Sequence, residues 1–531
     1  MPSLTIDPDA CYLALKSRDA RFDGQFFTAV TSTGIYCRPV CRVKAPRREN
    51  CRFFTHAAQA EGAGFRPCLR CRPELAPSRL ELAWSTEDAS KTLASQAVRL
   101  ISDAALAGDD ASVAQIAAKL GVSERHLRRM TLAHMGVSPL QLLQTRRLLT
   151  SKQLLTDTLL PMQEVAAASG FGSLRRFNAA FLQHYGMPPT RLRQECKQGA
   201  DTDARLRTRS DSPLHAVQSC ITLHLGFRPP YHAKALYAFW QQRQLDTMEF
   251  IAINEDSIRD NRLFRLKNDT YSLIRSLSIT PQGSSGKTLR GWLQATPDME
   301  KNTLRVRLSD ELAPALPIIT ARLRAAFDLD ADPAAIDAAL SPVFKNSEGM
   351  RVPGALDGYE IAVRAILGQQ VTVAAGLTFT QRVLQRFGAP IQTPWPQVTR
   401  CFPCACTLAQ ASPESLGELG IVRQRQTALI ALSKAVASGD INLNSPPNPQ
   451  QVIEQLKALP GIGDWTAHYI AMRALRWPDA FPAGDIALHN AMKLRHEPSP
   501  AKRARLAGVA SQAWRPWRSY AVFRLWAGLQ V

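Results

Sequence analysis

The stretch LPGIGDWTAHYIAMRALRWPDAFPAGD, residues 459–485, decides the fold of the carboxy-terminal part of this chain. Its turn, residues 460–463, lies between two helical patterns, VIEQLKAL and DWTAHYIAMRAL. Gly461 and Gly463 let backbone N–H groups point outward where a helix begins, and such groups suit a phosphate. No Lys-Ser/Thr pair follows, so a nucleotide-binding P-loop is not expected. A plain turn between helices remains the alternative.

The helix after this turn carries an aromatic face that leads to an isolated acid. Trp465 and Tyr469 are four residues apart and therefore share one side of the helix. Asp485 ends the stretch, set off by Pro482 and Gly484. Taken alone, the two aromatic side chains suit a hydrophobic core, and the aspartate suits a helix cap.

The composition indicates several domains and a polyanionic partner. A chain of 531 residues is too long for one hydrophobic core and predicts about three to five domains. The net charge of +20 favours nucleic acid as the partner, although a basic surface without such a partner is the alternative. The amino terminus lacks a secretory signal pattern and no apolar run reaches membrane-span length, so we expect no membrane partner and a cytoplasmic location.

Four of the eleven cysteines have the spacing of a metal site. Cys37 and Cys41 form one closely spaced pair, and Cys68 and Cys71 form another. Two such pairs on turns can converge on one tetrahedral Zn²⁺, and a purely structural zinc site is the simplest form of this prediction. Basic residues crowd these cysteines and suit phosphate contact, with a merely solvated face as the alternative. Those predicted to contact DNA are Arg38, Arg42, Lys44, Arg66 and Arg70.

The segments FTAVTSTGIYCRPVCR, RREN and GFRPCLRCRP resemble the amino-terminal domain of the Ada-type adaptive-response regulators. The resemblance implies that Cys37 is both a zinc ligand and a nucleophile, which irreversibly takes one methyl group from a methylphosphotriester in DNA. A thiolate is the nucleophilic form of cysteine, and zinc keeps a coordinated thiol deprotonated. Methylation removes one negative charge from a four-thiolate centre, so affinity for the DNA backbone should rise.

Residues 112–134 and 161–193 each carry a helix-turn-helix pattern. In each, a short helix and a glycine turn precede a second helix, which begins at Ser123 or Ser173. Two such patterns in tandem resemble the AraC-type DNA-binding domain, and this implies two recognition helices in successive major grooves. The residues expected to face DNA are Arg125, His126, Arg128, Arg175 and Arg176.

The chain therefore divides into five predicted segments, mostly α with α+β parts. Residues 1–80 form a small four-cysteine zinc domain, and residues 81–195 form the tandem helix-turn-helix domain. Residues 196–213 are polar and charged, which indicates a linker. Alternating patterns predict a mixed α/β domain over residues 214–340, and helical patterns predict an all-α domain over residues 341–531.

The last two segments resemble a family of DNA repair enzymes. FRPPY, ALDGYEIAVRAILGQQVTVAA, LPGIGDWTAHYIAMRAL and WRPWRSYAVFRLW are similar to the AlkA-type 3-methyladenine DNA glycosylases II of the helix-hairpin-helix superfamily. The resemblance implies that an alkylated base is turned out of the duplex and its N-glycosidic bond is hydrolysed. Asp485 would stabilise the oxocarbenium-like sugar and orient or deprotonate water.

The same resemblance assigns the other site residues. It implies that Gly461 and Gly463 grip the DNA backbone, with a monovalent cation bound at the 460–463 hairpin. Gln370 stands where the family has a leucine that fills the gap left by the flipped base. Residue 465 is Trp, where strand-cleaving relatives have a Schiff-base lysine, so we expect an enzyme without lyase activity. The residues implied to bind the base are Trp465, Tyr469 and Trp526.

The sequence thus predicts a bifunctional alkylation-damage response protein. Single methyl transfer to Cys37 would activate promoter binding and transcription, with RNA polymerase as a partner. The carboxy-terminal half would excise bases such as 3-methyladenine from damaged double-stranded DNA and leave abasic sites. One alternative is a transcription regulator whose glycosylase-like half only binds DNA. Another is a glycosylase whose zinc domain merely docks on DNA.

Overall fold

The chain forms two compact units. The computed structural model describes residues 7–78, 93–101 except 95 and 99, 112–195, 220–253, 271–280, 288–444 and 448–529. The first unit combines Met1–Arg228 with Asn302–Ala321, and the second combines Pro229–Lys301 with Arg322–Val531. The predicted linker, residues 196–213, lies outside the described residues. None of the helices in the described ranges combines the length and apolar character of a membrane span.

A small sheet opens the first unit and brings the cysteine pairs together. Strand β1 (Phe27–Val30) pairs antiparallel with β2 (Ile35–Cys37) and with β3 (Cys51–Phe54). Strand β2 also pairs in parallel with β4 (Arg66–Pro67), which places Tyr36 opposite Pro67. Because Cys37 and Cys68 are the next residues on parallel partners, they lie at the same end of the sheet. Helices α1 (Pro8–Ser17) and α2 (Ala57–Gly62) contact the sheet.

The helix-turn-helix predictions are confirmed. The helices are α3 (Val113–Lys119), α4 (Glu124–Met135), α5 (Pro139–Asp157), α6 (Met162–Ala168) and α7 (Leu174–Tyr185). The hydroxyl groups of Ser123 and Ser173 cap α4 and α7 by accepting the backbone N–H groups three residues ahead. Gly136 and Gly186 end the same helices with positive φ angles, so each second helix has a locally encoded start and stop.

The strands predicted for the mixed α/β segment, residues 214–340, are also present. In the first unit, β5 (Cys220–Gly226) pairs antiparallel with β9 (Thr303–Ser309). In the second unit, β6 (Glu249–Ile253), β7 (Tyr271–Ile279) and β8 (Leu289–Asp298) form an antiparallel meander. A short pair, β10 (Ala389–Pro390) and β11 (Arg400–Cys401), interrupts the otherwise helical carboxy-terminal part.

The remaining elements are mostly helices. They are α8 (Ala233–Gln241), α9 (Leu316–Ala326), α10 (Pro333–Leu340), α11 (Gly358–Leu367), α12 (Val373–Phe387), α13 (Ala405–Ala409), α14 (Pro413–Gly417), α15 (Arg423–Ala437), α16 (Pro449–Lys457), α17 (Asp464–Arg473), α18 (Ile486–Ala491), α19 (Pro500–Ala510) and α20 (Arg518–Gly528). Helix α17 packs on α11 and α16, and α20 packs on α18. This packing positions the aromatic stretch and the aspartate that follows it.

Candidate active site and metal centre

The glycine hairpin links α16 to α17, as predicted. Gly461 has a φ angle of +77°, and a Cβ atom there would lie 3.1 Å from the Cβ of Ala428. A side chain is therefore disfavoured by both backbone conformation and packing. Gly463 is the N-cap of α17, and apart from its chain neighbours no atom of the described residues lies within 4 Å of the position that its Cβ would take. The first amide groups of α17 are thus open to an approaching anion.

The Asp485 carboxylate caps a helix and also accepts hydrogen bonds from two indole groups. Its Oδ1 atom accepts the backbone N–H of Leu488 at 2.7 Å and thereby caps α18. The indole Nε1 of Trp526 donates to the same Oδ1 atom at 3.1 Å, and the Nε1 of Trp465 donates to Oδ2 at 2.9 Å. Only 8% of the residue is exposed. Three N–H donors therefore fix the orientation of this carboxylate.

The predicted aromatic residues meet beside this carboxylate. The rings of Trp465 and Tyr469 stack with centroids 5.3 Å apart, and the ring of Trp526 lies 6.0 Å from that of Tyr469. Together with Asp485 they line a cleft of about 1460 Å³. These side chains are the wall of a cleft that a flat ligand can enter, rather than the sealed core that was the alternative.

The loop between α11 and α12 lies on the same cleft. Gln370 is exposed there and adopts a left-handed φ angle of +52°. Such a conformation in a non-glycine residue costs about 1 kcal/mol or more and persists where neighbouring contacts hold it. Its neighbour Gln369 supplies that contact: the amide Nε2 donates to the Gly461 carbonyl and to the Thr466 hydroxyl, both at 2.9 Å. The loop is therefore tied to the hairpin.

Sequence reasoning missed three residues of the cleft wall. Phe239 of α8 stacks parallel to Trp526 with centroids 6.3 Å apart. Arg243 and Arg473 also line the cleft. Phe239 and Arg243 precede the other site residues by more than 100 positions, so no local pattern joins them to the site. Arg473 lies within the opening stretch, but a basic residue at the end of a helix is too common to mark a site.

The four predicted metal ligands converge in the first unit. The sulfur atoms of Cys37, Cys41, Cys68 and Cys71 all lie within 4.8 Å of one another. Tetrahedral Zn²⁺ with Zn–S bonds of about 2.3 Å places its sulfur ligands about 3.8 Å apart, so this donor set fits the ion. The first three cysteines are buried and the fourth is partly buried. Cys37 retains only 7% exposure.

The basic residues around the cysteines differ in exposure. Arg42, Lys44, Arg66 and Arg70 are exposed, as phosphate contact requires. Arg38 is not, and this corrects its predicted place among the DNA-facing residues. It is 8% exposed; its Nε donates to Asp23 at 2.8 Å, and its Nη1 donates to the Cys71 carbonyl at 3.1 Å. The guanidinium of Arg38 therefore holds the loop that carries Cys71 in place and does not face solvent.

The predicted DNA-facing residues of the helix-turn-helix pairs lie at the starts of α4 and α7. Arg125, Arg128, Arg175 and Arg176 are exposed, and His126 is partly buried. Five aromatic or apolar residues on the opposite faces are buried and hold the two helices in place: Leu127, Met130, Phe177, Phe181 and Tyr185. The basic faces are therefore free to meet a ligand.

Family models match four consecutive parts of the chain. The metal binding domain of Ada matches residues 10–74, and a helix-turn-helix domain matches residues 116–195. The AlkA N-terminal domain matches residues 222–357, and the HhH-GPD superfamily of base excision DNA repair proteins matches residues 363–516. The first match and the converging thiols identify a site for one Zn²⁺. The helix-turn-helix and base-excision matches make DNA a partner of this chain.

Curated relatives agree with this order of domains. A probable bifunctional transcriptional activator/DNA repair enzyme AlkA of Mycobacterium tuberculosis (strain ATCC 25618 / H37Rv) is 36% identical, over 99% of this chain and 97% of the relative. DNA-3-methyladenine glycosylase 2 of Escherichia coli (strain K12) is 32% identical, over 57% of this chain and 95% of the relative. The regulatory protein ada of Salmonella typhimurium is 37% identical, over 26% of this chain and 35% of the relative. The chain therefore belongs to the family of bifunctional transcriptional activator/DNA repair enzymes in which Ada-type metal-binding and helix-turn-helix domains precede an AlkA-type glycosylase.

Proposed function

We propose that the second unit is a DNA-3-methyladenine glycosylase that hydrolyses the N-glycosidic bond of alkylated bases and leaves an abasic site. The observation that carries this proposal is the Asp485 carboxylate, which two indole N–H groups hold at 2.9 and 3.1 Å on an aromatic cleft. A flipped base fits against Trp465, Tyr469 and Trp526, and a cationic base gains about 0.5–2 kcal/mol from each aromatic face.

The chemistry follows from the position of the carboxylate. As the bond from C1′ to the base nitrogen breaks, its electron pair leaves with the base and the sugar becomes positively charged. The Asp485 carboxylate stabilises that charge and accepts the proton of the water that adds to C1′. The 460–463 hairpin, with a monovalent cation, holds the DNA backbone. Gln370 fills the space that the flipped nucleotide vacates.

Replacement of the carboxylate tests this proposal. An Asp485→Asn protein should release 3-methyladenine from methylated DNA at least about 100-fold more slowly, because the neutral amide no longer stabilises the cationic sugar. Base-release chromatography measures the rate. The matched control is Asp440→Asn, an exposed acid outside the cleft. Unchanged release by Asp485→Asn would favour the alternative of a half that only binds DNA.

We further propose that the first unit senses methylated DNA through Cys37. Bound zinc keeps the thiol groups of its ligands deprotonated. The Cys37 sulfur then forms a bond to the methyl carbon of a phosphotriester, and the phosphodiester leaves with the electron pair of the broken carbon–oxygen bond. The centre loses one negative charge, so repulsion of the DNA backbone falls and the exposed Arg42, Lys44, Arg66 and Arg70 bind it more tightly.

Mass spectrometry after exposure to methylated DNA tests this assignment. The parent protein should gain the mass of one methyl group, and a Cys37→Ala protein should gain none. Cys51→Ala is the matched control, because Cys51 is buried in the same domain but lies outside the metal-binding set. An adduct that persists in Cys37→Ala would contradict the assignment and favour a zinc domain that merely docks on DNA.

Promoter recognition is proposed to lie on the starts of α4 and α7. Each lost phosphate contact should reduce the slope of log binding constant against log salt by about 1. An Arg176→Ala protein, methylated at Cys37, should show that reduced slope in a titration with promoter DNA if the side chain contacts phosphate. Activation is proposed to require RNA polymerase as a further partner, which transcription with purified polymerase tests.

A further inference from the structure

Tyr469 and Arg473 form a pair one helical turn apart on α17. The Nη1 atom of Arg473 donates to the Tyr469 hydroxyl oxygen at 2.7 Å, and its Nε atom donates to the Pro353 carbonyl at 2.9 Å. Arg473 is only 5% exposed, so these contacts hold the guanidinium in place. Because the arginine occupies one acceptor direction of the phenol oxygen, the hydroxyl hydrogen of Tyr469 must point elsewhere.

That hydroxyl hydrogen has no acceptor among the residues that the structure describes. Tyr469 itself lines the cleft between the rings of Trp465 and Trp526. Tyr469 is only partly buried, so this donor is open to a molecule in the cleft and can bind an acceptor on the ligand. A purine offers ring nitrogens and exocyclic oxygens as acceptors.

Two arginines, Arg243 and Arg473, give the part of the cleft wall next to Tyr469 a positive charge. The guanidinium carbon of Arg473 lies 4.9 Å from the Phe239 ring centroid, and that of Arg243 lies 3.8 Å from the same centroid. In the described parts of the chain, neither arginine has a carboxylate partner. Burial lowers the pKa of Arg243, and the nearby charge of Arg473 lowers it further. Two arginines without a carboxylate partner favour a group that becomes negative as the reaction proceeds.

We propose that Tyr469, positioned by Arg473, is a catalytic residue that stabilises the departing base when an uncharged purine is excised. This inference rests on the proposed glycosylase activity and extends it to leaving groups that carry negative charge. A cationic purine leaves as a neutral molecule and needs no such help, whereas an uncharged purine leaves as an anion.

The step balances without a co-reactant other than water. The C1′–N9 bond breaks and its electron pair stays on the purine, which becomes an anion. The Tyr469 O–H group donates a hydrogen bond to that anion, and the guanidinium of Arg473 stabilises the phenol oxygen through its own N–H donor. Water adds its hydroxyl group to C1′ and gives its proton to Asp485. Solvent then protonates the free purine and removes the proton from Asp485.

Single-turnover base release from matched DNA duplexes tests this proposal in the full-length protein. One duplex carries hypoxanthine, an uncharged purine, and the other carries 7-methylguanine, a cationic one. The variants are Tyr469→Phe, which keeps the ring, Arg473→Gln, Arg473→Lys and the double variant Tyr469→Phe/Arg473→Gln. Thermal unfolding of each variant checks that it is folded.

The ratio of hypoxanthine release to 7-methylguanine release should fall about tenfold or more in Tyr469→Phe and in Arg473→Gln. Arg473→Lys should restore part of the ratio, and the double variant should fall no further than the lower single variant. In Tyr469→Phe, hypoxanthine release should also rise more steeply toward acidic pH than in the parent, because protonation of the base replaces the missing donor.

Other outcomes overturn the proposal. Equal losses for both bases would assign Tyr469 and Arg473 to packing alone. A parent protein that releases 7-methylguanine but no hypoxanthine would also refute it, because no anionic leaving group would then be stabilised. Failure of the parent to release either base would instead refute the proposed glycosylase activity itself.

Discussion

Asp485 has two structural roles: it caps a helix, and it accepts hydrogen bonds from the indole groups on the cleft. Its Oδ1 atom caps α18, and its two oxygen atoms accept indole N–H groups on the cleft. The cap holds the side chain against the start of the helix, so the carboxylate has little freedom to turn away from the rings. A helix cap and a catalytic carboxylate were alternatives in the sequence; the structure shows the cap, which also holds in place the carboxylate that we propose is catalytic.

We expect the indole N–H groups of Trp465 and Trp526 to contribute to catalysis in addition to the stacking of their rings. A Trp526→Phe protein keeps an aromatic ring but loses the N–H donor to Asp485, and a hydrogen bond to a charged group contributes about 1.5–3 kcal/mol. We expect 3-methyladenine release to slow by at least about tenfold. The control is Trp477→Phe, because the buried Nε1 of Trp477 has no hydrogen-bond partner among the described residues. Equal effects of the two substitutions would mean that only ring volume matters.

At the scale of elements, short contacts between neighbouring segments build both sites. The parallel pairing of β2 with β4 brings Cys37 to Cys68, and the turn between α16 and α17 faces the loop that carries Gln370. Each of these elements is short, so its position depends on what packs against it. The two glycines of the hairpin differ in this respect: Gly461 is packed against Ala428, whereas the position of a Cβ at Gly463 is open.

Alanine substitutions at Gly461 and Gly463 should have different effects: the first should lower stability, and the second should weaken DNA binding. Gly463→Ala meets no atom within 4 Å and should leave thermal stability unchanged, but its methyl group stands at the open start of α17 and should weaken DNA binding. Gly461→Ala should lose about 1–2 kcal/mol of stability, because its φ angle is positive and its Cβ would press on Ala428. Thermal unfolding and fluorescence anisotropy with duplex DNA measure the two effects. Normal binding by Gly463→Ala would exclude the hairpin from the DNA contact.

Helix α5 joins the helix-turn-helix part to the metal-binding part through a buried ion pair. The ammonium group of Lys152 donates to Glu74 at 2.6 Å and to the Cys68 carbonyl at 3.1 Å, and the lysine is 1% exposed. Burial alone would raise the pKa of Glu74, but the charges of Lys152 and Arg72 outweigh it and hold that pKa below the ordinary 4.5. The charged pair therefore stabilises the fold at neutral pH, and this contribution begins to be lost as the pH falls below about 4.5 toward the lower pKa of Glu74 in the folded protein.

Removal of the lysine should leave this carboxylate poorly compensated. A Lys152→Met protein should lose about 3 kcal/mol of stability in the first unit at neutral pH, and the loss should shrink toward pH 4 as Glu74 becomes protonated. Thermal unfolding across this pH range measures it. Lys119→Met, at an exposed position of α3, is the control. A loss that does not depend on pH would show that the lysine contributes by packing rather than by charge.

For the whole molecule, the two proposed chemistries belong to different compact units. All four metal-binding cysteines lie in the first unit, and every residue of the aromatic cleft lies in the second. Each unit has its own core, so loss of one site need not unfold the other.

Zinc removal should therefore separate the two activities. Treatment with a strong chelator should abolish methyl transfer to Cys37, since the four thiols lose the ion that holds them together and deprotonates them. Release of 3-methyladenine by the same sample should stay within about twofold of the untreated protein, because none of the four zinc-binding cysteines lines the cleft. Re-addition of Zn²⁺ is the control for methyl transfer. Parallel loss of both activities would contradict this independence.

The sequence by itself determined the features that depend on near neighbours. These features are the capped helices at Ser123 and Ser173, the glycine turn at Gly461 and the paired spacing of the four cysteines. Each depends on residues close together in the chain, so a local sequence pattern predicts it. The family resemblance added Asp485, Trp465, Tyr469 and Trp526, and the structure places these four side chains around one cleft. Their catalytic and binding roles stay predictions until the variants above are measured.

Only the tertiary structure decided which side chains are buried and which partners they meet. Arg38 and Arg42 each directly follow a cysteine, yet Arg42 is exposed whereas Arg38 is buried and pairs with Asp23. Gln369 braces the hairpin across 92 residues of chain, and Arg473 reaches Pro353 across 120. Burial, charge pairing and hydrogen-bond direction depend on such distant partners, and no periodicity or spacing in the chain encodes where those partners will be.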